Sequence, residues 1–375
     1  MSLPPILVDS TALAEFAAQL HREPVIAVDL EADSLHSYQD KVCLLQFTIP
    51  SATVLVDPLA IGDLSSLKPV LADEAVRKVF HAADYDIRCL YRDFGIEIKG
   101  LFDTMTACQF LGEAKVGLAD ILNKYFGVQL DKRYQRADWS KRPLEEGMVH
   151  YAAEDTRYLL KLTELLEAQL IAKGRLAWAK EEFVLLEQVR HNSNDGPLFL
   201  RFKKANLLDQ RQLAVLEELL QWRDKEAQRR DCPPFKVLNN APLLEVARAM
   251  PTNIRALSGV EGMVPRLVSR YGGSLLTAVE AGCKVPEGEL PVYPRGEPRQ
   301  RDPEAEARVL LLKKWRVKKA AELEMDPGVL INNALLEEIA RREPACVEDL
   351  AGLKLMKNWQ RSALGEGIIS ALQGS

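Results

Sequence analysis

Val25-Ile26-Ala27-Val28-Asp29-Leu30-Glu31 is a short apolar run, largely β-branched, that ends in two acids one residue apart. Entered from Pro24, it has the length and composition of a buried strand. Side chains alternate along a strand, so Asp29 and Glu31 project to one side and Leu30 to the other. The strand thus ends in a pair of like charges, which is unfavourable unless something positive sits between them. A divalent metal is the usual solution. Two solvated acids at an ordinary strand exit are the alternative, which this pair alone leaves open.

Working outward, Val42 to Ile49 and Thr53 to Val56, separated by Pro50-Ser51, read as two further strands, and Lys78-Val79-Phe80 as a fourth. From Asp84 the apolar residues Ile87, Leu90, Tyr91 and Phe94 recur at helical spacing until Gly95. Met105 to Leu111, Leu118 to Phe126 and a long stretch from about Leu144 to Leu170 show the same periodicity, so the first domain is expected to be α/β with its strands early. Beyond Leu198 the pattern is all helical and repeats without a gap at an offset of 93 residues: Trp222 with Trp315, Asn239-Asn240 with Asn332-Asn333, Arg248 with Arg341, Pro251 with Pro344. Two copies of a small helical bundle are implied. Between them Pro286, Pro291, Pro294, Pro298 and Pro303 stand among charges, the composition of an extended connector. The expected organisation is residues 1–200 for the first domain with a connecting helix, 205–284 for the first bundle, 285–304 for a Pro-rich linker and 305–375 for the second bundle.

Composition narrows the function classes. With 375 residues, 47% of them hydrophobic, the chain can bury a sizeable core, and no apolar run reaches a membrane-spanning length. The opening Met-Ser-Leu-Pro-Pro lacks the blocks of a signal peptide, so a soluble cytoplasmic protein is expected. The six cysteines have no zinc spacing. Net charge is −5 but unevenly spread: residues 1–200 carry −9, while residues 201–284 hold 14 basic against 9 acidic side chains. An acidic part followed by a basic one suits a metal-binding catalytic domain joined to a nucleic-acid-binding module.

Two further patterns accompany Asp29 and Glu31. In Tyr151-Ala-Ala-Glu-Asp155 the i,i+4 spacing puts a phenol and a carboxylate on one helix face; a core tyrosine and a surface acid have the same spacing. In His81-Ala82-Ala83-Asp84-Tyr85-Asp86 a strand ends and a helix begins, and either aspartate can serve as N-cap. Capping accounts for one aspartate more easily than two. Four carboxylates and a tyrosine gathered from strand ends and a late helix suit two divalent metals and phosphodiester hydrolysis. His36, His81 and His150 lie nearby, but hard cations prefer oxygen, so they are expected to be structural.

At these residues the chain resembles the tyrosine-containing branch of the DEDD exonucleases, within it the ribonuclease D family. The resemblance covers Asp29-Leu30-Glu31, His81-Ala82 through Asp86, Tyr151 with Asp155, and the approach Asp138-Trp139-Ser140-Lys141-Arg142-Pro143-Leu144; the duplicated bundle resembles the HRDC domain. It implies an α/β ribonuclease H-like nuclease domain, a mixed sheet with helices, followed by two all-α HRDC-like bundles. It also implies a 3′-to-5′ exoribonuclease that uses two divalent metal ions, Mg²⁺ or Mn²⁺, and releases nucleoside 5′-monophosphates. Asp29, Glu31 and Asp155 would hold the water-activating metal, with Asp29 bridging to a second metal held by Asp86, and Tyr151 would position the nucleophile. The choice of Asp86 over Asp84 comes from the resemblance. The implied partner is RNA with a free 3′ end, transfer RNA precursors in particular. Ala32 departs from the family, in which many members carry a bulkier side chain there.

As nucleic-acid contacts the sequence offers Gln46, on a strand beside the first, and Arg223, Lys225, Arg229 and Arg230, the densest basic cluster of the first bundle. A DNA exonuclease of the same chemistry and a non-catalytic nucleic-acid-binding protein are the rival functions. Removing residues 205–375 is expected to weaken binding of structured RNA and to leave hydrolysis of short substrates.

Overall fold

The structure, a computed structural model, describes residues 3–191, 196–294 and 302–374. These divide into two units. One comprises the described residues up to Ala32, Val42–His191 and those after residue 301; the other comprises Asp33–Lys41 and those from 196 to 294.

In the first unit six strands form one mixed sheet: β1 Ile6–Leu7, β2 Val25–Ala32, β3 Val42–Ile49, β4 Ala52–Val56, β5 Arg77–Phe80 and β6 Leu101–Asp103, in the order β1-β4-β3-β2-β5-β6. The β2–β3 and β3–β4 pairs are antiparallel and the rest parallel. The four strands expected from composition are present. β1 and β6, with two and three residues, are too short to show a period. The helices of this part are α1 Ser10–Leu20, α2 Pro58–Ile61, α3 Lys68–Ala72, α4 Asp84–Phe94, α5 Thr104–Leu111, α6 Leu118–Phe126, α7 Glu146–Arg157, α8 Leu159–Ala172 and α9 Leu176–Leu186. α4 stops where Gly95 enters the left-handed region at φ 59°, the end its spacing predicts. The long periodic stretch after Leu144 is two helices, broken at Tyr158, because they serve different neighbours: α7 lies across β2, β3 and β4, whereas α8 packs on α5, β2 and β5.

The repeat carries into the backbone, with a 3-10 turn at Glu348–Gly352 where the first copy has its short fourth helix. In the first copy α10 Gln210–Arg229, α11 Pro234–Val237, α12 Asn240–Ala249, α13 Ile254–Ser258 and α14 Pro265–Lys284 form a bundle. In the second, α15 Pro303–Glu322, α16 Pro327–Leu330 and α17 Asn333–Arg342 have the bounds of α10 to α12 shifted by 93, and α18 Asn358–Gln373 begins 93 residues after α14. Even the left-handed residues recur, Asp231 with Glu324 and Met250 with Glu343. Arg223 donates to the Leu238 carbonyl and Asn240 Oδ1, and Arg316 donates to the Ile331 carbonyl and Asn333 Oδ1, the same two bonds one repeat later. The second bundle starts two residues before the end of the expected linker. Asp302 caps α15 by accepting from the Ala305 amide at 2.9 Å, and Pro303 sits in the first turn, where its missing N–H costs nothing. Residues 295–301 of that linker lie outside the described residues.

The second bundle belongs to the nuclease unit and shares one continuous core with it. Trp359 is 4% exposed; it stacks on Trp178 at 5.1 Å, meets Phe110 edge-on at 5.1 Å and donates its Nε1–H to Glu182 at 2.8 Å. Lys357 pairs with the same Glu182 at 2.6 Å. Gly112, at φ 83°, lies so close to the Glu324 carbonyl that any Cβ would overlap it. A deletion from residue 205 onward therefore removes part of the nuclease unit's own core, which the reading of the bundles as separate appendages did not foresee.

Candidate active site

β2 ends as read: Asp29 and Glu31 leave the same face, and a register irregularity follows immediately at Glu31/Ala32. α7 crosses that face and brings Tyr151 and Asp155 to it. One oxygen from each of Asp29, Glu31 and Asp155 can be chosen so that all three lie within 4.8 Å of one another. From the first turn of α4, Asp86 reaches the same place, where its carboxyl hydrogen-bonds Asp29 and meets the Leu30 amide. The Tyr151 hydroxyl bonds Asp155, and its ring is held between Tyr134 at 6.3 Å and Trp139 at 6.0 Å.

Asp86 and Asp155 are buried, while Asp29 and Glu31 keep part of their surface open. Burial pushes the Asp29 carboxyl up from 3.8 to about 7, against the pull of its hydrogen bonds to Leu30 and Asp86. Burial first and the charge of Asp29 second raise Asp155 to about 8. Glu31 and Asp86 are raised well above the ordinary range by the same two causes, and Tyr151 is pushed up by burial and by the acids around it. Among the described residues no lysine or arginine forms an ion pair with any of the four acids. An all-oxygen donor set, three members of it mutually close and none neutralised by the protein, fits a hard divalent cation such as Mg²⁺ or Mn²⁺.

The structure separates the two aspartates of the second motif. Asp84 faces solvent and takes Arg88 in a two-pronged pair at 2.7 and 2.9 Å, whereas Asp86 turns inward. Neither is the N-cap: that position is Ala83, whose amide donates to Asp103 at 2.8 Å, and Asp103 also caps α5 through Thr106. His81 is held by Thr104 at 2.9 Å, and burial keeps its pKa below the ordinary value. The nucleic-acid candidates fare differently. Gln46 is 0% exposed and cannot line a groove, because the face it leaves from is covered by α7. Arg223 is occupied by its two bonds inside the bundle, and Arg230 by the Tyr271 hydroxyl at 2.5 Å. Lys225 and Arg229 are exposed, Arg229 beside Glu226.

Two features were given no role by the sequence, although the first lies in the Asp138–Leu144 approach that carries the resemblance. Arg142 makes a fork to Asp57 at 2.6 and 2.8 Å and donates to the carbonyls of Cys43 and Trp139, clamping the segment before α7 onto the sheet. A cavity of about 290 Å³ opens beside Tyr151 and Asp155, walled by the loop from Gln129 to Tyr134; Lys132 and Gln135 line its neighbour. Loop residues brought to a site by folding carry no period by which to find them.

Comparison with known proteins identifies the family. Residues 5–171 match a 3′-5′ exonuclease family, and residues 212–279 and 305–372 each match the HRDC domain. The chain is 30% identical to ribonuclease D of Gluconacetobacter diazotrophicus over 374 residues, covering 99% of this chain and 93% of that protein. It is similar to the crystal structure of Escherichia coli RNase D, an exoribonuclease involved in structured RNA processing, with a TM-score of 0.74 at 28% identity over 100% of this chain and 99% of that one. The catalytic core of RRP6 from Trypanosoma brucei is similar with a TM-score of 0.65 at 32% identity, covering 74% and 79% of the two chains.

Proposed function

The chain belongs to the ribonuclease D family, and from that premise we propose that Asp29, Glu31, Asp86 and Asp155 hold two divalent ions, Mg²⁺ or Mn²⁺, beside Tyr151. The protein is a metal-dependent 3′-to-5′ exoribonuclease. The observation that carries the site is the meeting of three carboxylates within 4.8 Å, with no lysine or arginine among the described residues paired to them. When bound, the metal ions supply Lewis acidity, which activates water and stabilises the leaving 3′-oxygen. The protein's part is to hold geometry. Asp29 and Glu31 are fixed by strand pairing, Asp86 by the Asp103 hinge between α4 and α5, and Asp155 by α7, which the Arg142–Asp57 clamp anchors at its start. Tyr151, whose pKa burial and the surrounding acids push up, orients the attacking water from its Asp155-bonded hydroxyl.

The cavity beside Tyr151 is the place for the 3′-terminal nucleotide, and the products are nucleoside 5′-monophosphates. Substrates are structured RNA precursors with a free 3′ end, transfer RNA precursors among them, met in the cytoplasm; among the described residues no helix is long and apolar enough to cross a membrane. Matched RNA and DNA single strands given Mg²⁺ or Mn²⁺ test the substrate class. RNA is expected to be shortened faster, and a strong preference for DNA would overturn the assignment. Lys225 and Arg229 are the remaining candidates for phosphate contact on the first bundle. Replacing both with alanine is expected to weaken binding of structured RNA, to lower the log–log salt slope by roughly one per lost contact, and to leave short oligonucleotides cut at the parent rate.

A further inference from the structure

Gln46 has no place in the chemistry so far, yet it is the most anomalous polar residue beneath the acids. It is 0% exposed, and neither Oε1 nor Nε2 of its amide has a hydrogen-bond partner among the described residues. Protein interiors pair nearly all buried polar groups, so an orphan marks a partner that the polypeptide alone does not supply. The strand register identifies the neighbours. Gln46 stands directly opposite Asp29 across β2–β3 and opposite Leu55 across β3–β4, and along its own strand the same-face residues are Leu44 and Thr48. Leu44 and Leu55 offer nothing polar, and the Thr48 hydroxyl is already engaged at 2.8 Å with both Thr53 and Thr156. Asp29 is the in-sheet neighbour with acceptor capacity to spare. Directly opposed side chains on paired strands have Cβ atoms about 4.5–5.5 Å apart, within the reach of a glutamine amide.

A carboxylate that ligates a metal through one oxygen is held in orientation by a donor on the other, and such supporting donors govern affinity. We propose that Gln46 is a positioning residue for Asp29, its Nε2–H donating to the Asp29 carboxylate when a divalent cation occupies the acid cluster. This rests on the reading of Asp29 as a metal ligand. It also explains why a glutamine stands in a layer whose cluster is otherwise formed by Cys43, Leu44, Leu55, Trp139, Met148, Val149 and Ala152.

Mn²⁺ binding to the full chain, followed by electron paramagnetic resonance, tests it. Gln46→Met keeps the length and removes the amide; it is expected to bind Mn²⁺ 10- to 100-fold more weakly while the metal-free variant melts no lower than the parent. In the parent labelled with ¹⁵N-glutamine, the side-chain amide signal that disappears in Gln46→Glu is expected to move when Mg²⁺ is added, a readout that does not need the methionine variant to fold. Mn²⁺ affinity within twofold of the parent, or an amide signal indifferent to Mg²⁺, overturns the role of Gln46 and leaves the metal site standing. A parent chain that binds no Mn²⁺ overturns the Asp29 reading and this one with it.

Discussion

Replacing Asp29 with asparagine is expected to abolish nucleotide release, by about 10³-fold or more, while making the metal-free protein more stable. The two effects share a cause. Asp29 sits against Asp86 and beside Glu31 and Asp155, and no lysine or arginine of the described residues pairs with them, so its ionisation in the folded chain is costly until a metal arrives. The folded pKa, about 7, lies above the 3.8 of the unfolded chain. Its protonation therefore contributes stability that is fully present below pH 4 and is lost as pH rises through 7; Asp155 extends the loss to about pH 8. By pH 8 the stability lost through Asp29 is on the order of 2–4 kcal/mol. Melting curves between pH 5 and pH 8 without metal should thus fall for the parent and fall less for Asp29→Asn, and Mg²⁺ should restore the parent alone. A variant less stable than the parent at pH 8 without metal would show that the acids are balanced by something else. Because binding must displace protons, metal affinity should rise across the same window.

Truncating Trp359 to alanine should destabilise the nuclease unit by about 3–5 kcal/mol, although the residue lies two hundred positions beyond the last proposed catalytic one. Its indole packs against Trp178 and Phe110, and its N–H donates to the half-buried Glu182, which Lys357 also binds. Removing the ring opens a cavity in a core continuous with that of the sheet. Urea unfolding monitored through RNA hydrolysis separates the possibilities. A lowered midpoint for activity is the expected result; activity that survives to the parent midpoint while only helical signal is lost would mean that the second bundle melts alone.

The acid pair on β2 was legible because strand alternation is a rigid rule and because two like charges at the end of an apolar run demand an explanation. The duplication was equally plain, since each bundle must repeat its caps and core positions, down to Arg223 and Arg316 bonding the same carbonyl and asparagine. What stayed hidden depends on distant contacts. Nothing local distinguishes Asp84 from Asp86; the difference lies in Asp103, nearly twenty residues away, whose bond to the Ala83 amide sets how α4 begins. Gln46 sits on a strand in a way that fits a groove or a core equally well, and the helix that covers it comes a hundred residues later. Arg223 looks like a phosphate ligand until the backbone it holds is in view. Nothing in the sequence around Trp359 signals that it closes the nuclease core as well as its own bundle.

The most direct test gives the full chain a single-stranded RNA with a free 3′-hydroxyl, labelled at its 5′ end in one tube and at its 3′-terminal nucleotide in another, with Mg²⁺ or Mn²⁺. The predicted result is immediate release of the 3′ label as a nucleoside 5′-monophosphate, a ladder shortening one nucleotide at a time from the 5′-labelled strand, and no release with EDTA or with Asp155→Asn. Internal cuts, nucleoside 3′-monophosphates, or undiminished release by Asp155→Asn would contradict it.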